Sequence, residues 1–250
     1  MHENLAVGVA VLAVAVLAGC AAAPTSDETT YGNSTSVPTV LEGNSEALLA
    51  AGSFHYEIST TLRPRGSPAG GLTRTVSARV DLATGELLVH QQVGDRLSVA
   101  GYADGEGNAF RRLAAGNRSQ VQRVNATAVN ATRYVRPPLR GLFDGLTYTH
   151  RGAVRRNGTL LHNYTATAAG LGLAVPRQVG PLRTAGVTHV ESNLLVTPRG
   201  VLRSFAVEMT GTGVRNTTYV YRVRLSYDDV GSTTVPRPAW VPSGGAPSAG

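Results

Sequence analysis

Apolar and polar residues alternate along most of this chain. In FHYEISTTL, Phe54, Tyr56, Ile58 and Leu62 fall on one face of an extended segment, and His55, Glu57, Ser59 and Thr61 on the other. That period of two is the mark of a strand with one face buried. LTRTVSARVDL repeats it with Leu72, Val76, Ala78, Val80 and Leu82 inward. Thr84-Gly85 turns the chain into ELLVHQQV, RLSVAGY follows, and Ala103-Asp104-Gly105 turns it again towards NAFRRL. In the second half, Asn157-Gly158 separates THRGAVRR from TLLHNYTATA; both turn residues tolerate positive φ, so the pair predicts a two-residue hairpin. Pro198-Arg199-Gly200 joins THVESNLLVT to VLRSFAVEMT, where Val201, Phe205, Val207 and Met209 share a face. TTYVYRVRLSY places Tyr219, Tyr221, Val223, Leu225 and Tyr227 together.

Helical spacing is rare. Ser45 is placed to cap a short helix through Ala51, closed by Gly52. In PPLRGLFDGL, Leu139, Leu142, Phe143 and Leu146 follow the i, i+3, i+4, i+7 pattern behind two prolines that suit a helix start. Leu113 to Arg136 reads as ambiguous, with a long polar loop as the candidate, and residues 169–187 read as irregular. Roughly nine strands in hairpin order with one or two short helices predict a mainly β (α+β) domain, a curved antiparallel sheet or half-barrel over residues 44–241. The apolar face exceeds what those helices can cover. Such a sheet either closes on itself or leaves a groove.

Outside this domain the chain changes character. Leu5 to Ala18 contain only Leu, Ala, Val and Gly. The run is shorter than the ~20 apolar residues a membrane-spanning helix needs, and it suits the apolar part of a signal peptide over residues 1–19. The single cysteine, Cys20, follows at once in Leu-Ala-Gly-Cys. One cysteine forms no intrachain disulfide and no Cys-pair metal site. The stretch resembles the lipobox of prokaryotic lipoproteins, which makes Cys20 the expected lipid attachment point and the membrane a partner. The alternatives are an uncleaved anchor and a plain buried thiol. Either way the rest of the chain is expected outside the cytoplasm, and with the lipid anchor on the extracytoplasmic face of the cell membrane. Residues 20–43, rich in Ser, Thr, Pro and Ala, read as a flexible tether, and 242–250 as a disordered tail.

The formal charge is +7, and every basic residue is arginine. The arginines are scattered apart from Arg111-Arg112 and Arg155-Arg156, and no basic helix or basic-aromatic motif appears, so nucleic acid is not an expected partner. Such a surface suits anionic head groups or an acidic envelope protein.

Catalytic motifs are missing. The sequence holds no G-x-S-x-G and no H-E-x-x-H. His55, His90, His162 and His189 fall on polar or mixed strand faces without metal-ligand spacing. Asp228-Asp229 begin a turn, and Gly211-Thr212-Gly213 lacks the helix a phosphate loop requires. No enzyme, metal or cofactor is expected.

Two patterns remain. Asn33, Asn117, Asn125, Asn130, Asn157, Asn163 and Asn216 open Asn-x-Ser/Thr sequons; all but Asn157, held in its tight turn, are candidate glycosylation sites. Phe54, Tyr56, Ile58, Phe205, Val207, Met209, Tyr219, Tyr221 and Val223 form an apolar stripe, with Phe143 on the second helix facing it. This stripe is either packed core or the lining of a half-open barrel that takes a lipid or another hydrophobic ligand, with tyrosine hydroxyls at its rim.

LSYDDVGSTTVPRPAWV near the C-terminus, with LLAAGSFHYEIST and VDLATGELLV earlier, resembles a group of uncharacterised haloarchaeal-type lipoproteins. That group is similar in plan to the lipoprotein-carrier fold of LolA and its LppX/LprG-type relatives. The resemblance implies a half-barrel wrapped over helices, with PPLRGLFDGL plugging the concave face and an apolar cavity between. It also implies carriage of acyl chains or an envelope-sensor role, and it brings no catalytic residues.

Overall fold

A computed structural model describes residues 30–67, 71–136, 146–169, 187–212 and 217–242. Twelve strands form one antiparallel sheet. In chain order they are β1 (Ser34–Ser36), β2 (Ser53–Pro64), β3 (Leu72–Asp81), β4 (Glu86–Val93), β5 (Leu97–Asp104) and β6 (Ala109–Ala115). Then come β7 (Arg118–Val124), β8 (Thr147–Arg156), β9 (Thr159–Ala169), β10 (Val187–Val196), β11 (Leu202–Thr212) and β12 (Thr218–Asp228). Their spatial order is β1-β8-β9-β10-β11-β12-β2-β3-β4-β5-β6-β7. The two halves of the chain each make a meander, and β12 joins them by pairing with β2 from Asp228↔His55 to Tyr219↔Pro64. The end strands β1 and β7 do not pair with each other, so the sheet is curved and open.

Turn chemistry sets the registers. Asn157 and Gly158 have φ of 47° and 77°, the doubly positive pair that a tight hairpin needs, and they join β8 to β9. β6 and β7 pair from Ala109↔Val124 to Ala115↔Arg118, and β7 lies within the stretch whose sequence reads as ambiguous. β7, RSQVQRV, is polar on both faces because it is an edge strand whose pairing is made by backbone alone. Asn125 and Asn130 then open two 3-10 turns, Ala126–Ala128 and Ala131–Tyr134.

The helix α1 runs from Val37 to Ala51, not from Ser45. Regular structure therefore extends into the segment read as tether. The Ser36 side chain accepts from the Thr39 amide and Pro38 sits in the first turn, which together start the helix nine residues early. Val37, Val40, Leu41, Asn44, Ser45 and Leu48 are buried, so the stripe continues through two polar residues that conceal it in the sequence. Asn44 Oδ1 accepts from the Leu202 amide at 2.9 Å, and the Ser45 hydroxyl meets the carbonyls of Leu41 and Val135. Gly52, at φ 75°, closes the helix as expected.

The core lies on the concave face, between the sheet and α1 with the two 3-10 turns. Phe54, Val80, Leu87, Ala103 and Ala109 occupy one register row across β2 to β6, and all are buried. Tyr227 stacks edge-on to Phe54 at 5.6 Å and donates its hydroxyl to the Tyr134 carbonyl at 2.9 Å. Gly101 lies where β5 passes beneath Val129: a Cβ there would come within 2.9 Å of Val89 Cγ1. The expected helix over PPLRGLFDGL lies outside the described residues except for Leu146, which is buried. No helix among the described residues is long and apolar enough to cross a membrane.

Candidate functional site

The concave face is not filled along its whole length. A cavity of about 340 Å³ opens between β12, β2, β3 and β4 on one side and the Ala131–Tyr134 turn on the other. That is at the lower end of the roughly 300–1,000 Å³ typical of small-molecule sites. Its floor is Tyr56 and Ile58 of β2, Val76 of β3 and Tyr221 and Val223 of β12. Pairing explains why they converge: Tyr221↔Leu62, Val223↔Thr60 and Ile58↔Val76 are opposite neighbours, so their side chains leave the sheet on the same face. Polar groups enter at Thr60, Arg74 and Gln91 from the strands, and at Arg133 and Tyr134 from the turn.

The polar groups are ordered among themselves. Arg74 Nη2 donates to Gln91 Oε1 at 3.1 Å across β3 and β4. Tyr134 packs against Tyr56 with ring centroids 5.4 Å apart. Burial pushes the phenols of Tyr56, Tyr134 and Tyr221 above their ordinary value; the Arg74 charge pulls each back only in part. Tyr221 is also held by a hydrogen bond with Thr60. These tyrosines therefore stay neutral, with hydroxyls that both donate and accept. An apolar floor with neutral hydroxyls and guanidinium groups above it can hold an amphiphile. It offers no nucleophile–base pair.

The expected stripe divides. Tyr56, Ile58, Tyr221 and Val223 line the cavity. Phe54, Phe205, Val207 and Met209 are packed core, with exposures of 0%, 0%, 3% and 3%. Tyr219 packs against the core without lining the cavity, and Phe143 lies outside the described residues. Thr60, Arg74, Gln91, Arg133 and Tyr134 are the lining residues the stripe omits. The first three carry a signal in the sequence. Each occupies an inward position of an alternating strand and is polar, and the three breaks fall on neighbouring strands. Arg133 and Tyr134 come from a non-periodic segment and give no such signal.

Other candidates are dispersed. Cys20 and Asn216 lie outside the described residues. Asn33, Asn117, Asn125 and Asn130 are exposed in turns and loops. Asn125 and Asn130 each accept from the amide and hydroxyl of the threonine of their own sequon. Asn163 is half-buried in β9 and accepts from Asn193 Nδ2. His162 does not sit on a polar face. The alternation of β9 turns His162, Tyr164 and Ala166 inward; His162 is 1% exposed, and neither of its ring nitrogens has a partner. Burial, and then the neighbouring His150 at 5.6 Å between ring centroids, lowers its pKa and keeps it neutral. Among the described residues no group of three or more His, Cys, Asp or Glu could hold a metal. The convex face carries a shallow hollow lined by Ser59, Thr61, Arg63, Arg222 and Arg224.

Solved structures similar to this chain include LprF from Mycobacterium bovis, 15% identical with a TM-score of 0.39, covering 82% of this chain and 99% of that one. A DUF1329 family protein from Desulfovibrio piger ATCC 29098 is 8% identical with a TM-score of 0.24, covering 75% of this chain and 93% of that one. A LolA superfamily protein, NE2245 from Nitrosomonas europaea, is 11% identical with a TM-score of 0.21, covering 78% and 92%. No curated protein matches the chain. The profile of a family of unknown function matches residues 5–243, nearly the whole of this sequence, and the chain belongs to that family, DUF7537.

Proposed function

We propose that this protein is a lipoprotein of the cell membrane whose half-barrel holds a lipid chain or a similar hydrophobic ligand, without catalysis. The observation that carries the reading is the cavity on the concave face, floored by Ile58, Val76 and Val223. Apolar side chains left beside open space gain from any apolar guest that displaces water, by ~25 cal/mol per Å² removed from water. Cys20, directly after the apolar run, is the proposed lipid attachment point on the extracytoplasmic face. The haloarchaeal-type motifs at both ends of the domain support the same address. Asn33, Asn117, Asn125 and Asn130 are the proposed glycan carriers, since each is exposed.

Native mass spectrometry of gently purified full-length protein, paired with analysis of its organic extract, tests the ligand. Bound amphiphile is expected, and Val76→Trp should abolish it while leaving the thermal transition in place. Clean extracts, together with no uptake of an added single-chain amphiphile, would overturn the reading. Replacing Cys20 with Ser tests the address: the protein should leave the membrane fraction, and unchanged retention would refute the anchor.

A second reading, an envelope interaction protein without a small ligand, is favoured by the arginine-lined hollow on β2 and β12. It expects salt-sensitive crosslinking to an acidic surface protein, lost in Arg63→Gln/Arg224→Gln.

A further inference from the structure

The cavity described above has an electrostatic bias that a purely apolar carrier does not require. Among the described residues two arginines, Arg74 and Arg133, lie in its lining, and no carboxylate does. They come from opposite sides: Arg74 from the inward row of β3, Arg133 from the turn that roofs the cavity. Both are exposed at the mouth. The ion pairs among the described residues join His189 to Glu191, Arg203 to Asp228 and Arg222 to Glu208, so neither mouth arginine is neutralised by one of them. Gln91 satisfies one N–H of Arg74 and leaves the rest of its fork open. The floor beneath carries apolar side chains, and the neutral hydroxyls of Tyr134 and Tyr221 line the same cavity.

We propose that the cavity selects an amphiphile with an anionic head: its chain lies on Ile58, Val76 and Val223, and its phosphate or carboxylate group sits between Arg74 and Arg133. This rests on the ligand-binding reading above and adds the chemical class of the head group. Planar guanidinium forks match the oxygens of such groups two at a time, and charge-assisted hydrogen bonds are about twice as strong as neutral ones.

The test compares dodecyl phosphate, dodecyl maltoside and inorganic phosphate, each below its micelle concentration where it has one, on the full chain by titration calorimetry. Dodecyl phosphate should bind roughly tenfold more tightly than dodecyl maltoside, a difference of about 1.4 kcal/mol. Inorganic phosphate alone should bind far more weakly than either. Arg74→Gln/Arg133→Gln should remove the preference and retain maltoside binding. Because both arginines are exposed, that variant should melt with the wild type. Arg74→Lys keeps the charge without the fork and should fall between the two. Equal binding of the two amphiphiles by the wild type, or a preference that survives the double substitution, would overturn the head-group proposal and leave the ligand-binding reading standing. Phosphate binding as tightly as dodecyl phosphate would make the mouth a free-anion site and overturn it as well. Failure of every probe to bind would remove both readings.

Discussion

Phe54 and Ile58 point to the same face of β2, two inward positions apart, yet they live in different surroundings. Phe54 is fully buried, edge-on to Tyr227, beneath the cover that α1 and the 3-10 turns provide. Ile58 is half-buried and borders the cavity. Nothing in the strand itself separates them. The difference is what lies across from each residue. Asn44 of α1 fastens the helix to β11, and Tyr227 fastens the Tyr134 turn to β12, so one end of the concave face is roofed. The roof ends at Tyr134 and Arg133, and the cavity lies beneath and beyond them. A uniform apolar face thus becomes core at one end and a site at the other because its cover is finite.

The comparison is broken most directly at the packed end. Phe54→Ala should cost about 3–5 kcal/mol, since it opens a closed void under α1. Chemical denaturation would read this as a lowered midpoint at an unchanged slope. A loss near that of an exposed residue would mean that the two ends are equally loose. Asn44→Ala should cost about 1–3 kcal/mol by leaving the Leu202 amide buried without its acceptor. It should also speed amide exchange in α1 more than in β3 to β5.

Ile58→Ala should cost only about 1 kcal/mol, because the side chain is half-buried and already borders open space. Its larger effect should be on uptake of dodecyl maltoside. Equal destabilisation by Phe54→Ala and Ile58→Ala would erase the contrast drawn here.

The smallest effect concerns acid. Burial lowers the pKa of His162 below the 6.5 of a free imidazole. The unfolded chain therefore binds that proton more readily than the native protein. Stability is fully present above pH 6.5 and declines as the pH falls below it towards the native value. His162→Phe should flatten that part of the stability–pH curve. A curve that keeps its full slope in the variant would assign the dependence to other groups.

Much of the sheet was legible before any coordinates. Asn157-Gly158, Thr84-Gly85 and Pro198-Arg199-Gly200 mark real turns, and the alternation of β2, β11 and β12 assigns their faces correctly. What escaped lies where local pattern weakens. β7 has no apolar face to reveal it, and α1 hides behind Gly43, Asn44 and Ser45; the buried polar atoms of Asn44 and Ser45 make sense only beside Leu202 and Val135. A Cβ at Gly43 would run into the Tyr31 hydroxyl, a constraint from a turn that precedes the helix.

By itself, then, the sequence determined a twisted antiparallel sheet with one oily face, because side-chain alternation and turn residues act over a few positions. The same alternation holds three polar breaks, Thr60, Arg74 and Gln91, which the apolar stripe passed over. Only the tertiary structure decided that these breaks meet at one mouth, that Arg133 and Tyr134 join them from a non-periodic segment, and which part of the oily face stays open. Those outcomes depend on register between strands and on how far the covering helix and turns reach, and neither is a local property of the chain.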